Sequence, residues 1–541
     1  MKTGKGIAAR PLGRVAAIVI AASLASARVD AVPVAASGAE PGDSSTRSDE
    51  RFDIVEFRVL GNSVLPVRAI EAAVYSHLGP GRSFADVEAA RGALEAAYHD
   101  AGFGTVFVDI PEQKVDDGVV RLRATEGRLH AVRLAGAHYF SGRQVRAQLP
   151  AATPDSVPSI PALQAELAAV NSQTPDRTVV PVLKAGPEPG TVDLDLNVED
   201  HLPLHLTAEL NNQYSADTKP LRASLTADYS NLFGRLDDLS AQYQSSPQQS
   251  RDVGVLAVSY GRRLDGGDRL SFSYINSTSQ VASIGALDVL GKGHMFGLHF
   301  DHAIVADAGR IESVSIGFDY KRFDQTVNAG LGTTIPTPIA YGLASATFLG
   351  SVLGPQRTWS WSTGAALVLR GVGSPPTNFD DKCFNCRQTE FALRGEGSVT
   401  QSLGASFALV ARAAGQFAVD PLVSNEQFLI GGAQSVRGYY EAEDLGDVGY
   451  RGTLELRGPS LLGGAAAHVR PFIFGDRGRI RFLAPLPGQA PAALLASAGA
   501  GIDFDWTHYL TGNLTWAHAL EAGARTESGA SRWLFTVRST W

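Results

Sequence analysis

The chain has 541 residues, 44% hydrophobic, with 57 glycines and a formal net charge of −8, a length that implies several domains of about 150 residues unless one is a large barrel. Mild acidity without a concentrated Lys/Arg patch excludes a general nucleic-acid binder. The lack of any apolar run near the roughly 18 residues of a spanning helix after residue 30 excludes a helical membrane protein, but not a membrane β-barrel, whose alternating strands look average in bulk.

At the N-terminus, Lys2, Lys5, Arg10 and Arg14 precede the apolar run Val15 to Ala25 and the sequence Ala25-Ser26-Ala27. A charged segment, a short apolar segment and an A-x-A site predict a secretory signal over 1–27. Residues 28–50 are rich in Ala, Ser, Gly, Asp and Glu without an apolar period; such a stretch cannot bury enough surface to fold and reads as a flexible linker.

From 51 to 128 the pattern changes. Val55, Phe57 and Val59 alternate as a strand face, while Val67, Ile70, Val74 and Leu78 fall at helical spacing. Val87, Leu94 and Tyr98 do so again behind Ser83, an N-cap candidate. Two short strands follow, carrying Val106, Val108 and Ile110, then Val120, Leu122 and Ala124. The predicted order is β-α-α-β-β. Residues 129–201 repeat it, with a strand at 130–134, helices near 142–149 and 161–170, and strands at 179–183 and 192–198. Internal repetition of this kind marks two units of one type.

From 202 to 541 the helical period gives way to a two-residue period. In Leu221 to Tyr229 every odd position is apolar and every even one polar, and Val314, Ile316, Phe318 and Tyr320 repeat this against Ser315, Asp319 and Lys321. One face on lipid and one in water requires that pattern. Counting gives about sixteen strands, an even number suited to an antiparallel transmembrane barrel. Tight connections such as Leu264 to Asp268, Ala306 to Arg310 and Leu403 to Ser406 alternate with long ones. All six tryptophans lie in this part, as interfacial girdles require. Cys383 and Cys386 are the only cysteines, too few for a disulfide framework or a four-ligand zinc site. In an exported protein they are read as a small loop disulfide; a redox motif is the alternative, with nothing thioredoxin-like around it.

A Gly-rich loop over 424–447 joins predicted strands eleven and twelve and carries Val436-Arg437-Gly438-Tyr439. About forty residues on, Phe474-Gly475-Asp476-Arg477-Gly478 lies on strand thirteen, where Arg470, Phe472, Phe474 and Asp476 share one face. An arginine at the tip of a long loop can enter a wet lumen and offer its planar fork to one carboxylate. Asp476 is the expected partner.

These features together resemble the transporters of two-partner secretion, the TpsB family of haemolysin secretion/activation proteins of the ShlB/FhaC/HecB type. There a V-R-G-Y loop tip (here Val436, Arg437, Gly438, Tyr439) pairs with the Asp of an F-x-D-x-G motif (here Phe474, Asp476, Gly478). Ala101-Gly102-Phe103 matches the turn of a POTRA domain, and Pro175 to Leu194, through Leu183-Lys184-Ala185-Gly186-Pro187, is close to the second-POTRA signature. The final Trp541, behind Phe535 and Val537, is similar to the strand signal read by the barrel-assembly machinery.

The resemblance implies two periplasmic POTRA domains, at 51–128 and 129–201, and an outer-membrane barrel at 202–541. It implies as partners a secreted, TpsA-like exoprotein, outer-membrane lipids and the assembly machinery, with no cofactor, metal or nucleic acid. Many family members begin with an amphipathic helix that plugs the barrel; no such segment is present here. The unfolded partner would add a strand to Thr105, Val106, Phe107 and Val108, with Leu94 and Tyr98 lining the adjacent groove. It would then thread the lumen and fold outside. A P-loop to drive this is missing, since Gly285 to Gly293 has the wrong spacing. Two readings compete: an insertase of the same superfamily working at the barrel seam, and an outer-membrane hydrolase. The hydrolase lacks G-x-S-x-G, H-E-x-x-H or any triad among the 12 histidines, so no enzymatic activity is expected.

Overall fold

The computed structural model describes residues 51–541 apart from 250–252, 280, 285–286, 308, 325, 329–333, 370, 381, 387–388, 463–466 and 508. The signal segment and linker read at 1–50 lie outside the described residues. The first module runs β1 (Phe52–Ile54), β2 (Glu56–Leu60), α1 (Val67–Val74), β3 (Gly79–Arg82), α2 (Phe84–Asp100), β4 (Val106–Asp109) and β5 (Val119–Glu126). Its sheet has the order β2-β5-β4, with β2 parallel and β4 antiparallel to β5, and β1 pairs β3 as a separate ribbon. Val55 falls in the break between β1 and β2 and is exposed, so it does not share the core face of Phe57 and Val59.

Helix α2 starts in a reciprocal cap, Ser83 with Asp86, which satisfies two otherwise unpaired backbone donors. Its buried stripe Val87, Ala90, Leu94 and Tyr98 recurs at three- and four-residue steps. That stripe packs on Val106, Val108, Val120, Leu122 and Ala124. Leu94 and Tyr98 are fully buried, and so line no groove; apolar residues at helical spacing face the sheet that covers them. The Tyr98 hydroxyl donates to Asn62 Oδ1 at 2.7 Å, and burial pushes its phenol up to about 12.

The second module, β6 (Arg128–Ala135), α3 (Gly142–Ala147), α4 (Ile160–Ser172), β7 (Arg177–Ala185) and β8 (Thr191–Asp200), repeats the sheet as β6-β8-β7 with the same parallel and antiparallel pairings. Gly102 joins the two: its φ is +90°, and an added Cβ would lie 2.7 Å from Pro161, whose neighbour Ile160 donates its N–H to the Gly102 carbonyl at 2.9 Å. At the end of β8 the Asp200 carboxylate accepts the N–H groups of Tyr139, Phe140 and His138. Burial works against its ionisation, but these donors together hold its pKa below the ordinary carboxylate value.

Sixteen antiparallel strands in chain order close a barrel, the last (Ser531–Thr540) beside the first (Leu204–Asn211). The closing ladder has five residue pairs, Thr536↔Asn211 to Thr540↔Thr207, against eight between the first and second strands. Asn212 and the exchange of backbone bonds between Trp541 and Leu206 extend it. The second module is fixed to the barrel mouth by Asp176, which accepts His205 Nε2 at 3.1 Å and Ser230 Oγ at 3.0 Å, and by Asn231 Nδ2 donating to the Tyr139 carbonyl. Trp359, Trp361, Trp506 and Trp541 ring that mouth end of the wall, and Trp516 pairs with Trp533 towards the far end. Tryptophans therefore lie near both ends of the apolar outer face, where interfacial anchors belong.

Candidate functional site: a loop clasped inside the barrel

The loop between the eleventh strand (Phe407–Ala418) and the twelfth (Val448–Arg457) folds into the lumen. It carries a small hairpin, Phe428–Ile430 with Asp444–Gly446, and Asp447 closes its neck by accepting the N–H groups of Leu422 and Leu483. From this hairpin the tip reaches the thirteenth strand (Ala467–Arg481), whose even positions face inward and bury Phe472, Phe474 and Asp476. Arg470 shares their parity but is exposed nearer the mouth.

Each of the three nitrogens of the Arg437 guanidinium makes a hydrogen bond. Nε and Nη2 form a two-bond fork on Asp476, to Oδ2 at 2.8 Å and Oδ1 at 2.9 Å, and the backbone N–H of Arg437 adds a third bond to Oδ2 at 3.0 Å. Nη1 donates to Glu455 Oε2 on the twelfth strand at 2.8 Å. The Phe474 ring lies beneath, its centroid 3.4 Å from Cζ, so a cation–π contact completes the site. The side chains of Arg437, Asp476 and Glu455 are 9%, 0% and 3% exposed. Such charge-assisted, bidentate bonds are the strong ones, and burial protects them from screening. A cavity of about 130 Å³ lined by Arg437, Glu455, Arg457 and Asp503 leaves room for only a few waters beside the fork.

The flanking motif residues make this approach sterically feasible. Val436 is buried with Ile430, Tyr439, Ile480 and Leu495. Gly438 has φ +96°, a left-handed conformation that side chains rarely adopt. A Cβ on Gly478 would lie 3.0 Å from both Ile430 and Val436, so the glycine opens the wall to the loop. The Tyr439 hydroxyl sits 2.8 Å from the carbonyls of Ala496 and Glu521, which pins the tip to the fourteenth strand (Ala492–Trp506) and to the connection between the last two strands. The structure thus brings together Val436, Arg437, Gly438, Tyr439, Phe474, Asp476 and Gly478.

A second cluster, which sequence reasoning missed, holds the loop at its base. Glu426 Oε1 accepts Lys321 Nζ at 2.7 Å and Tyr341 Oη at 2.6 Å, and Oε2 accepts Arg394 Nη2 at 3.0 Å. These partners come from the seventh (Arg310–Phe323), eighth (Ile339–Leu353) and tenth (Glu390–Gly404) strands. Cys383 and Cys386 are joined in the connection between the ninth (Arg357–Leu369) and tenth strands, where Cys383 packs with Phe379, Tyr341 and Val423 beside this cluster.

In the first module β4 is an edge strand. Its Val106 and Val108 side chains face the core, Phe107 is 64% exposed, and Thr105 is buried with Oγ1 donating to the Gly127 carbonyl. The outward backbone groups of β4 are met by α2: Glu95 Oε2 accepts the Val108 N–H at 3.0 Å, Arg91 Nη1 donates to the Val108 carbonyl at 3.2 Å, and His99 Nε2 lies 3.0 Å from the Val106 carbonyl.

Residues 190–504 match the family profile "Haemolysin secretion/activation protein ShlB/FhaC/HecB", and residues 52–127 match "POTRA domain, ShlB-type". The outer membrane transporter CdiB of Dickeya dadantii (strain 3937) is 24% identical over 408 residues, covering 74% of this chain and 71% of that protein. CdiB from Escherichia coli has a similar fold, with TM-score 0.58 at 16% identity over 93% of each chain. BamA from Haemophilus ducreyi lacking POTRA domains 1–3 matches at TM-score 0.56 and 14% identity over 91% of this chain and 100% of that one. The POTRA modules thus stand on the periplasmic side of an outer-membrane barrel, and the chain belongs to the ShlB/FhaC/HecB family of haemolysin secretion/activation proteins, TpsB-type outer-membrane transporters.

Proposed function

We propose that this transporter captures an unfolded partner exoprotein in the periplasm through its POTRA modules and exports it through the barrel lumen. The observation that carries this reading is the Arg437 clasp. A long loop drawn into the lumen and docked there by a guanidinium bonded through all three nitrogens can serve as a switch, released when those bonds break. Cavities of about 470 and 530 Å³, lined largely by Ser, Thr, Gly and charged residues, lie beside it as segments of a route through the lumen.

Capture is assigned to the edge of β4. Its outward backbone groups are held by Arg91, Glu95 and His99, which protect the edge while it is empty. An incoming extended segment replaces those side chains with main-chain bonds, and exposed Phe107 offers an apolar contact. The edge of β7 is less suited, because Pro181 lacks a donor.

Deleting residues 51–128 should abolish binding of the partner and leave the barrel folded in the membrane. Partner retained on the deleted protein at the full-length level rejects capture at the first module. The five-pair seam favours a second reading, insertion of other barrel proteins at that edge. Loss of this chain then depletes other outer-membrane barrels, whereas an exporter's loss depletes the exoprotein alone.

A further inference from the structure

The outer face of the barrel is apolar along nearly its whole circumference, as lipid requires. Leu225, Phe272, Phe296, Leu298, Ile316 and Leu454, for example, are exposed on outward positions. The thirteenth strand breaks the pattern. Its outward row reads Ile473, Gly475, Arg477, Arg479 and Arg481, since the alternate residues Phe474, Asp476, Gly478 and Ile480 are buried inward. In the ladders, Arg477 lies between Gly452 and Ala496, Arg479 between Tyr450 and Leu494, and Arg481 between Val448 and Ala492. Tyr450 and Ile473 are exposed, which fixes this side of the sheet as the outer one.

Three arginines therefore project outward from backbone positions about 7 Å apart, at the end of the strand before the connection 482–491. That connection contains no Asp or Glu, nor do the six cross-strand neighbours. Among the described residues none of the three arginines makes an ion pair or a side-chain hydrogen bond. Three like charges in one row repel one another and are costly beside acyl chains. The row becomes favourable when anions of fixed position lie against it.

With the POTRA modules in the periplasm, the strand ends at Arg481 on the cell exterior, so the row stands at the headgroup level of the outer leaflet. We infer that Arg477, Arg479 and Arg481 form a binding site for the phosphate groups of an outer-leaflet lipid. The planar fork of arginine matches phosphate oxygens in pairs, and the flanking Ile473, Leu494 and Tyr450 would lie along the acyl chains and the headgroup boundary. The site lies on the opposite face of the strand that holds Asp476, so a bound lipid would stiffen the wall to which the loop is clasped.

The test is native mass spectrometry of the full-length protein in neutral detergent, offered either lipid A, a glycolipid with two phosphates, or zwitterionic phosphatidylethanolamine. Wild type should retain lipid A and not phosphatidylethanolamine. Taking about fivefold in affinity for each arginine, the triple variant R477Q/R479Q/R481Q should bind lipid A about a hundredfold more weakly, while R477K/R479K/R481K, which keeps the charge but not the fork, should fall between it and wild type. Folding is checked by the heat-dependent gel mobility of the barrel; should the triple glutamine variant not fold, R479Q alone, with an expected loss of about fivefold, decides. Equal retention of lipid A by wild type and the glutamine variant, or equal retention of both lipids by wild type, overturns the site.

Discussion

The lumenal loop is held at two places by ion clusters of opposite construction. At the tip the loop supplies the cation, Arg437, and the wall supplies Asp476 and Glu455; at the base the loop supplies the carboxylate, Glu426, and the wall supplies Lys321, Arg394 and the hydroxyl of Tyr341. The Arg437–Asp476 fork is the more closed of the two, with side chains 9% and 0% exposed and only a small cavity beside it, whereas in the base cluster Arg394 is 41% exposed. Water can therefore replace more of the base contacts as they break than of the fork. The two clusters also use different walls, the seventh to tenth strands against the twelfth and thirteenth, so the docked loop spans the lumen. The difference assigns the tip an all-or-none release and the base a graded one.

The largest effect is expected from breaking the tip. Arg437→Ala removes the fork and leaves buried Asp476 without its cation, while Glu455 keeps Arg457; loss of one partner of a buried pair costs about 3 to 5 kcal/mol. That suffices to undock the tip while the barrel ladder stays whole. Heat-dependent mobility should be unchanged, protease added to intact cells should cut within 424–447, and export of the partner should fail. Normal export, or a loop as resistant as in wild type, rejects the clasp.

A smaller effect is expected at the base. Glu426→Ala leaves Lys321 poorly solvated but frees Arg394 towards the lumen, so about 1 to 3 kcal/mol is lost. Protease sensitivity should then rise near the loop's neck while the tip stays docked, and the rate of export should change less than with Arg437→Ala. Equal defects from the two variants would erase the distinction between them.

The two clusters also differ in how legible they were. The tip is a short motif of fixed chemistry, and Val436 to Tyr439 with Phe474 to Gly478 point to Arg437 and Asp476 from the sequence alone. Glu455 was within reach too, because the alternation Arg451, Glu455, Arg457 against Tyr450, Leu454 and Leu456 turns it inward. The base was not, since Lys321, Tyr341, Arg394 and Glu426 are joined only by closure of the barrel and share no spacing. Barrel strands were readable for the same reason that Leu94 and Tyr98 were misread. A two-residue period in a closed wall states which side is wet, whereas a helical stripe states that a face is covered and leaves the cover unnamed; in this module it is the sheet.

The smallest expected effect separates charge from shape within the tip itself. Gly475 and Gly478 lie three residues apart on one strand but face opposite sides: nothing is within 4 Å of a Cβ added at Gly475, while at Gly478 it meets Ile430 and Val436 at 3.0 Å. Gly478→Ala therefore forces the loop outward by a few tenths of an ångström and lengthens the Arg437 fork, at a cost of about 1 kcal/mol. Gly475→Ala meets no obstacle and should dock as wild type does. The readout is the rate of protease cleavage in the loop, raised about fivefold for Gly478→Ala when cleavage tracks the undocked population and unchanged for Gly475→Ala. Equal rates for both would mean that ion pairing alone holds the tip, and that the glycine of the wall motif serves strand geometry and not the approach of the loop.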